Sequence, residues 1–282
     1  MLDARRLARC LPSGSLWDIR TYDVLSSTND AVKEALHSGA PQGLAITALE
    51  QRGGYGRQGR TWASPLGGLY VSLALRPDLS VDRLPSLSLV VSLAVRSALI
   101  EVIPEKDIAI KWPNDILCRA CKVCGISLEV VDEGAVCVGI GINVFHPTVE
   151  PSRKGKYRFG YLSSLACGDV SISRADEHRV APSGLSEFQL LELETLLISV
   201  LEKVESFYLC WRDGGFSIFR DDYESLLFGR GERIRLETVE GASLVEGTLR
   251  GVDLFGNLLV EDSRGAVTAH ASGEVHVVAW SL

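Results

Sequence analysis

The sequence predicts an α+β protein in two parts, a larger domain over residues 1–228 and a small β-barrel over residues 229–282. Two observations support this division. In the first part, apolar residues recur both at the spacing of helices and in short strand-like runs. After Gly229 the pattern changes to short alternating segments separated by glycine-containing turns, which is typical of a small barrel.

The first predicted elements are a capped helix and two short strands. A Ser-Ser-Thr triplet at residues 26–28 precedes residues 29–38, whose apolar side chains have helical spacing, and serine or threonine is a favourable N-cap. Gly39 predicts the end of this helix, because glycine readily adopts the left-handed conformation that follows a C-terminus. Residues 44–49 and 69–75 are apolar runs that predict strands.

A long helix and a group of strands follow. Residues 87–99 place their apolar side chains on one face of a helix. Strands are predicted at residues 108–112, 123–131 and 135–144, and the acidic, glycine-containing turn at residues 132–134 joins the last two as a hairpin.

The remaining elements are one irregular segment, one helix and the barrel. Residues 147–186 are polar and rich in turn-forming residues, so we expect irregular structure there and assign it no role. Residues 187–211 predict a helix with a leucine-rich face. The predicted barrel strands are residues 232–238, 243–252, 257–261, 266–271 and 274–279.

Composition excludes several classes of protein. The chain of 282 residues is 46% hydrophobic and 23% charged, and its net charge of −7 gives no overall attraction to nucleic acid. No apolar stretch has the length of a membrane span, and the N-terminus lacks the apolar core of a signal peptide. Seven cysteines without a secretion signal indicate free thiols. We therefore expect a cytoplasmic protein with neither a nucleic-acid nor a membrane partner.

The most informative segment is Gln-Arg-Gly-Gly-Tyr-Gly-Arg-Gln-Gly-Arg at residues 51–60. Its glycines permit positive φ and a close approach to a ligand. Arg52, Arg57 and Arg60 add permanent positive charge with fork-shaped donors. The combination predicts a mobile loop that closes over an anionic group such as phosphate, and it also fits a solvated hairpin loop. It is not a Walker loop, because no Gly-Lys-Ser/Thr follows at the required spacing.

Four further segments carry polar or glycine-rich patterns. Ser-Thr-Asn at residues 27–29 supplies hydroxyl and amide groups at a helix N-terminus, beside free backbone N–H groups. Lys-Trp-Pro-Asn-Asp at residues 111–115 ends a strand with a cation, an aromatic ring and a carboxylate. Lys-Val-Cys-Gly-Ile at residues 122–126 precedes Gly-Ile-Gly-Ile-Asn at residues 139–143, where strand glycines let a ligand or another chain come close. Taken singly, each also fits an ordinary cap, turn or strand.

The cysteines near residue 120 allow two interpretations. Cys118, Cys121 and Cys124 form a Cys-x-x-Cys-x-x-Cys run, but a tetrahedral metal site needs a fourth ligand. Cys137 completes such a site only if the strands pair suitably. We favour a hairpin whose small cysteines pack among valines and isoleucines, and we predict no metal site.

In this order and spacing, these five segments closely resemble the biotin protein ligases. That family shows Ser-Thr-Asn, then Gln-x-x-Gly-x-Gly-Arg-x-Gly-Arg, Lys-Trp-Pro-Asn-Asp, Lys-x-x-Gly-Ile and Gly-x-Gly-x-Asn. The resemblance is strong over residues 20–145. Residues 229–282 match the family's C-terminal domain in their position and in their pattern of short strands. The sequence departs from the family at Tyr55, where an arginine is frequent. It also has too few residues before residue 20 for the N-terminal DNA-binding domain of many bacterial relatives.

The resemblance implies both a fold and a reaction. The fold is a mixed-sheet catalytic domain flanked by helices, like that of class II aminoacyl-tRNA synthetases, with an SH3-like C-terminal barrel. In the reaction, the biotin carboxylate attacks the α-phosphate of ATP to give biotinyl-AMP and pyrophosphate. A lysine of a biotin carboxyl carrier protein, such as a subunit of acetyl-CoA carboxylase, then accepts the biotin. Mg²⁺ accompanies ATP, with Asp115 as a candidate contact. No redox cofactor is implied, and the chain is expected to be a monomer or a homodimer.

The same resemblance implies the site residues. Lys111 and Arg57 are the expected catalytic residues, since cations must be aimed at the charge that builds on the α-phosphate. Arg57, Arg60, Lys111 and Asn143 are expected to bind ATP. The residues expected to bind biotin are Ser27, Thr28, Asn29, Gln51, Tyr55, Gly56, Arg57, Lys111 and Gly125.

Two other functions stay open from the sequence. A lipoate- or octanoate-transferring ligase would share the fold, but the Lys-Trp-Pro-Asn-Asp string and the arginine loop favour biotin. A non-catalytic biotin- or nucleotide-sensing protein is disfavoured by the acidic net charge and by the expected lack of a DNA-binding domain.

Overall fold

The computed structural model describes residues 1–103, 105–132, 134–149, 158–165, 184–238 and 241–278. Within these residues, seven strands form one mixed sheet. They are β1 (Asp18–Leu25), β2 (Leu44–Gln51), β3 (Leu69–Leu75), β4 (Ile108–Lys111), β5 (Asp115–Cys118), β6 (Cys121–Asp132) and β7 (Ala135–Ile142). The order across the sheet is β1-β2-β3-β7-β6-β5-β4. The β1–β2 pair is parallel, and the other neighbours are antiparallel.

Helices cover both faces of this sheet. They are α1 (Ala4–Cys10), α2 (Thr28–His37), α3 (Leu84–Leu99), α4 (Leu162–Leu165), α5 (Glu187–Gly214) and α6 (Arg220–Ser225). On one face, Val32 and Leu36 of α2 pack against the sheet. On the other face, α3 packs against α5 and both contribute to the larger core. The predicted α+β architecture, with a mixed sheet flanked by helices, is therefore confirmed.

A second, antiparallel sheet of five strands lies at the C-terminal end. Its strands are β8 (Arg233–Glu237), β9 (Ser243–Val252), β10 (Leu258–Glu261), β11 (Val267–His270) and β12 (Glu274–Val277). Each of the five predicted barrel strands is present within one or two residues of its expected ends, and residue 279 lies outside the described residues. This sheet fits the predicted SH3-like domain. The domain boundary at residue 228 stays a prediction.

Five helices and strands were missed, namely α1, β1, β5, α4 and α6, and α4 lies in the segment that was predicted to be irregular. The first three give weak signals in the sequence. Helix α1 has seven residues and is capped by Asp3, whose carboxylate accepts hydrogen bonds from the Arg5 and Arg6 N–H groups at 2.9 and 3.1 Å. Strand β1 is an edge strand with mostly exposed side chains, so no alternation marks it. Strand β5 has four residues. Of the segment predicted to be irregular, only residues 147–149, 158–165 and 184–186 are described.

The cysteine run forms a hairpin, as favoured. Cys118 of β5 and Cys121 of β6 lie opposite each other across a two-residue turn with positive φ at both positions. Cys124 is buried in the larger core, whereas Cys137 packs beneath α2 on the opposite face of the sheet. A site that combines Cys124 with Cys137 is therefore not formed. Burial raises the pKa of the Cys118 thiol to about 11, which makes this thiol unreactive.

Buried hydrogen bonds join the barrel to the larger domain. The Glu224 carboxylate of α6 accepts hydrogen bonds from Arg220, Arg230 and the Val252 N–H at 3.2, 2.8 and 3.1 Å. The Trp112 indole N–H, just after β4, donates to the Gly256 carbonyl at 2.8 Å. These contacts fix the barrel against α6 and the end of β4. Among the described residues, no helix is both long and apolar enough to span a membrane.

Candidate active site

The floor of the candidate site is one row of residues across the larger sheet. Lys111 lies opposite Asp115, Asp115 opposite Gly125, and Gly125 opposite Gly141 on four consecutive strands. Directly opposed residues of antiparallel strands project to the same face. These four residues therefore share a surface, and all four line one pocket.

The glycines of β7 make room for two neighbouring side chains. A Cβ atom on Gly139 would lie 2.2 Å from Asn29 Oδ1, and one on Gly141 would lie 2.4 Å from Trp62 Nε1. Both distances are shorter than any contact a real side chain tolerates, so larger residues would displace Asn29 and Trp62. These strand glycines therefore admit neighbouring side chains, and the close approach of a ligand stays a prediction.

A polar network connects the N-terminus of α2 to the pocket. Gln51 Oε1 accepts hydrogen bonds from the Thr28 N–H at 2.8 Å and the Thr28 hydroxyl at 3.0 Å. The Gln51 amide donates to Ser64 Oγ at 2.8 Å, and the Asn29 amide donates to Ser127 Oγ at 3.1 Å. Thr28, Asn29, Gln51 and Ser127 all line the pocket. The network therefore holds several donors and acceptors in fixed positions at one side of the glycine floor.

Residues 51–60 fold as a small hairpin beside this network. The Trp62 N–H donates to the Gly54 carbonyl at 2.9 Å, and the Gly56 N–H donates to the Arg60 carbonyl at 2.8 Å. Tyr55, Gly56, Arg57 and Arg60 line the pocket. The hairpin geometry delivers two guanidinium groups to the site, and closure of this loop on a ligand stays a prediction.

The two predicted catalytic residues, Lys111 and Arg57, each bring a positive charge to the pocket. The Lys111 side chain at the end of β4 is only 6% exposed. Arg57 donates a hydrogen bond from Nη1 to Asn114 Oδ1 at 3.2 Å. Burial lowers the pKa of the Arg57 guanidinium, and the nearby Asp115 carboxylate opposes that shift. An arginine stays charged under such conditions, so the site holds a half-buried, permanent positive charge.

A fourth cation of the pocket was missed as a site residue. Lys122 lines the pocket and its Nζ lies 2.6 Å from Asp115 Oδ1. The same ammonium lies 5.1 Å from the centre of the Trp62 ring. The Lys-x-x-Gly-Ile motif pointed to this lysine. The motif's glycine, Gly125, was predicted as a site residue, but its lysine was not.

An aromatic pair beside Lys122 was also missed. The rings of Trp62 and Phe159 meet edge to face with their centres 6.5 Å apart, and both line the pocket. Trp62 Nε1 is buried without a hydrogen-bond partner among the described residues. A buried indole N–H usually finds a partner, so this donor is available to a ligand. Trp62 follows the arginine loop by two residues, which was its only signal.

The C-terminal barrel contributes to the same pocket. Gly273 and Glu274 lie at the start of β12 and line it, and the Glu274 carboxylate forms an ion pair with Arg60 of the hairpin. No local pattern indicates this contact, because more than two hundred residues separate the two partners.

Two predicted binding residues lie beside the pocket rather than on its wall. Ser27 is the N-cap of α2, and its hydroxyl accepts a hydrogen bond from the Asp30 N–H at 3.3 Å. Asn143 is buried, and its amide donates to the Lys122 carbonyl at 3.3 Å. Neither is among the lining residues. Their predicted contacts with ligands stay predictions, and both side chains help to hold residues that do line the pocket.

The charge balance of the pocket favours an anion. Its lining includes Arg57, Arg60, Lys111 and Lys122 against the carboxylates of Asp115 and Glu274. Each carboxylate is already paired with a cation. A ligand with a phosphate or carboxylate group is therefore attracted to this end of the site.

Comparison with known proteins agrees with this arrangement. The sequence model of the biotin/lipoate A/B protein ligase family matches residues 21–144. The bifunctional ligase/repressor BirA of Bacillus subtilis is 33% identical over 250 residues, which cover 86% of this chain and 69% of that protein. The biotin–[acetyl-CoA-carboxylase] ligase of Mycobacterium tuberculosis is 30% identical over 285 residues, which cover 98% of this chain and 96% of the relative.

Solved structures support the same class. The biotin protein ligase from Aquifex aeolicus, determined in complex with biotin and ATP, superposes with a TM-score of 0.71 at 28% identity. The superposition covers 93% of this chain and 98% of that one. The chain belongs to the biotin/lipoate A/B protein ligase family, among its biotin protein ligases.

Proposed function

We propose that this chain activates biotin with ATP to biotinyl-5′-AMP and transfers the biotin to a specific lysine of a biotin carboxyl carrier protein. The observation that carries the proposal is a single pocket in which a glycine floor, a fixed polar network and a group of cations meet. Biotin, ATP and the carrier of acetyl-CoA carboxylase or a similar enzyme are the substrates that this pocket and the relatives' names support.

The polar end of the pocket suits the ring system of biotin. A ureido group needs a few placed donors and acceptors, and an apolar bicyclic ring needs a close-fitting wall. Thr28, Asn29 and Gln51 line this end of the pocket with hydroxyl and amide groups. The glycine floor leaves room for the side chains of Asn29 and Trp62, which are then available to contact the ring. We therefore assign biotin to this end, with its carboxylate directed toward Lys111.

The cationic end suits the first chemical step. A biotin carboxylate oxygen forms a bond to the α-phosphorus of ATP, and the bond to pyrophosphate breaks, with its electron pair leaving on pyrophosphate. Lys111 and Arg57 stabilise the charge that builds on the α-phosphate, and Lys122 adds a third cation held by Asp115. Holding both reactants in line supplies much of the rate enhancement. Arg60 and Asn143 remain the proposed contacts of the nucleotide.

Mg²⁺ enters this scheme with ATP. The two carboxylates on the pocket wall are each paired with a cation, and the described residues contain no cluster of three or more ligands that could hold a metal. This donor set fits a Mg²⁺ ion carried by the phosphates and water, with Asp115 as its nearest carboxylate contact. When bound, the ion neutralises part of the phosphate charge.

In the second step the acceptor lysine, as a neutral amine, attacks the acyl carbon of biotinyl-AMP. An amide bond forms, AMP leaves with the electron pair of the broken bond, and the amine loses its proton. The mixed anhydride must be kept from water until the acceptor arrives. The hairpin of residues 51–60 lines the cationic end of the pocket, and we propose that it shields the anhydride there.

The aromatic pair is proposed to hold the adenine ring. Stacking of a base on an aromatic side chain contributes about 1–3 kcal/mol, so the variant Trp62→Ala is expected to raise the KM for ATP by about tenfold. Biotin affinity should change less than threefold, because the polar network stays in place. Steady-state pyrophosphate release at varied ATP measures the first value and calorimetry with biotin measures the second. A matched control, Phe188→Ala, removes an exposed aromatic ring from α5. Equal KM values for Trp62→Ala and the parent would contradict the assignment.

The test of the proposed function is biotin-dependent release of pyrophosphate from Mg-ATP. We expect release with biotin and none with lipoate or octanoate at equal concentration. Release with lipoate alone would identify a lipoate-type ligase, and binding of biotin without any release would identify a biotin sensor. Either result would replace the proposal.

We also propose a domain organisation and a cellular location for the chain. Residues 1–228 would carry the biotin and ATP site and residues 229–282 the SH3-like barrel, because the two sheets share no strand. The described cysteines are free thiols, which suits the cytoplasm.

A further inference from the structure

The hydroxyl group of Tyr55 is held by two charged residues of α2. It donates a hydrogen bond to Asp30 Oδ1 at 2.7 Å and accepts one from Lys33 Nζ at 2.6 Å. The Lys33 ammonium also lies 5.1 Å from the centre of the Tyr55 ring and 3.0 Å from Glu129 Oε2 of β6. A single loop side chain is thus bonded to a helix that in turn is bonded to the central sheet.

The other side-chain contacts of the hairpin are with segments other than α2. Arg57 is bonded to Asn114 after β4, and Arg60 is paired with Glu274 of the barrel. The hairpin therefore reaches across the pocket, with Tyr55 as its attachment to α2. Tyr55 also stands where the family often has an arginine. A guanidinium at this position would face the Lys33 ammonium, so the attachment depends on a neutral hydroxyl.

We propose that Tyr55 is a positioning residue that fastens the hairpin of residues 51–60 to α2 and thereby prolongs retention of the acyl-adenylate. This inference rests on the proposed ligase function and assigns Tyr55 a role through Asp30 and Lys33 rather than through contact of its hydroxyl with biotin.

The protonation states suit this attachment. Burial raises the pKa of Tyr55 to about 12, so the hydroxyl keeps its proton and remains a donor to Asp30 at any working pH. Burial alone favours the neutral form of Lys33, but its hydrogen bonds to Tyr55 and Glu129 outweigh this effect and raise its pKa. The ammonium is therefore charged while it donates. Hydrogen bonds to charged partners are stronger than neutral ones, although partial exposure weakens these.

The test is a double-mutant cycle on the release of biotinyl-AMP. The adenylate is formed in place from biotin and labelled Mg-ATP, and its dissociation is followed after dilution into unlabelled ligand. Tyr55→Phe and Asp30→Ala should each speed dissociation by about 3- to 10-fold, the effect of losing one partly exposed charge-assisted hydrogen bond. The double variant should be no faster than the quicker single variant, since both remove the same attachment. Tyr22→Phe, an exposed tyrosine on β1, should match the parent.

Two results would overturn the inference. If Tyr55→Phe speeds dissociation but neither Asp30→Ala nor Lys33→Met does, the hydroxyl acts on the ligand directly. If neither variant differs from the parent, the attachment has no effect on retention.

A second measurement tests the attachment without any ligand. Hydrogen exchange at the Gly56 and Trp62 amides, which close the hairpin, should be about 3- to 10-fold faster in free Tyr55→Phe than in the parent, with Tyr22→Phe unchanged. Unchanged exchange would contradict the inference even if the chain proved not to be a ligase. A parent protein that forms no adenylate would contradict the proposed function and leave this exchange result to decide the attachment.

Discussion

Lys111→Met is expected to lower the rate of biotin-dependent pyrophosphate release by about 10²–10³-fold, by analogy with removal of one preorganised donor from an oxyanion hole. Methionine keeps most of the length of the buried side chain and removes only its charge, so the fold should be retained. Release is measured in a single turnover, where product dissociation does not contribute.

The matched control is Lys203→Met, which removes a half-exposed lysine of α5 that is paired with Glu101. This variant should release pyrophosphate at the parent rate, because surface ion pairs contribute little. A folded Lys111→Met variant with near-parent release would show that Lys111 does not stabilise the first step. Lys122, whose ammonium lies in the same pocket, would then be the leading candidate.

Arg57→Gly is expected to increase escape of biotinyl-AMP by at least about tenfold, since a charge-assisted contact with phosphate is lost from a hairpin that packs little core. The released anhydride reacts with any exposed amine. Serum albumin added as a bystander should therefore become biotinylated, whereas with the parent it should stay unlabelled. Mass spectrometry of the bystander gives the measurement.

Arg52→Gly is the control for this prediction, because Arg52 lies in the same segment and is absent from the pocket wall. It should leave the bystander unlabelled. If Arg57→Gly retains the adenylate as tightly as the parent and labels only the carrier protein, the role assigned to Arg57 is wrong.

The parts of the fold that the sequence predicted are those with local signals. The helix after Ser27 has an N-cap, and Gly39 marks its C-terminal end, so its limits could be located within a few residues. The barrel strands could be located equally well, because glycine-containing turns separate them. Strand β1 could not, because an edge strand exposed on most of its side chains carries no periodic pattern.

In the candidate site, too, residues within local motifs could be predicted and contacts between distant segments could not. Nine of the predicted ligand-binding residues line the pocket, and they lie within short motifs. Those motif residues are Thr28, Asn29, Gln51, Tyr55, Gly56, Arg57, Arg60, Lys111 and Gly125. Contacts between distant segments were missed. The pairing of Arg60 with Glu274 and the attachment of Tyr55 to Lys33 arise only when the chain has folded, and no local pattern encodes them.

Biotin transfer is tested most directly by the mass of a carrier domain incubated with this chain, biotin and Mg-ATP. We expect addition of one biotinyl group to one lysine, with no modification when either biotin or ATP is omitted. Biotin replaced by lipoate should also leave the carrier unchanged. A carrier that stays unmodified in the complete mixture, while the folded chain binds biotin, would contradict the proposed transfer of biotin.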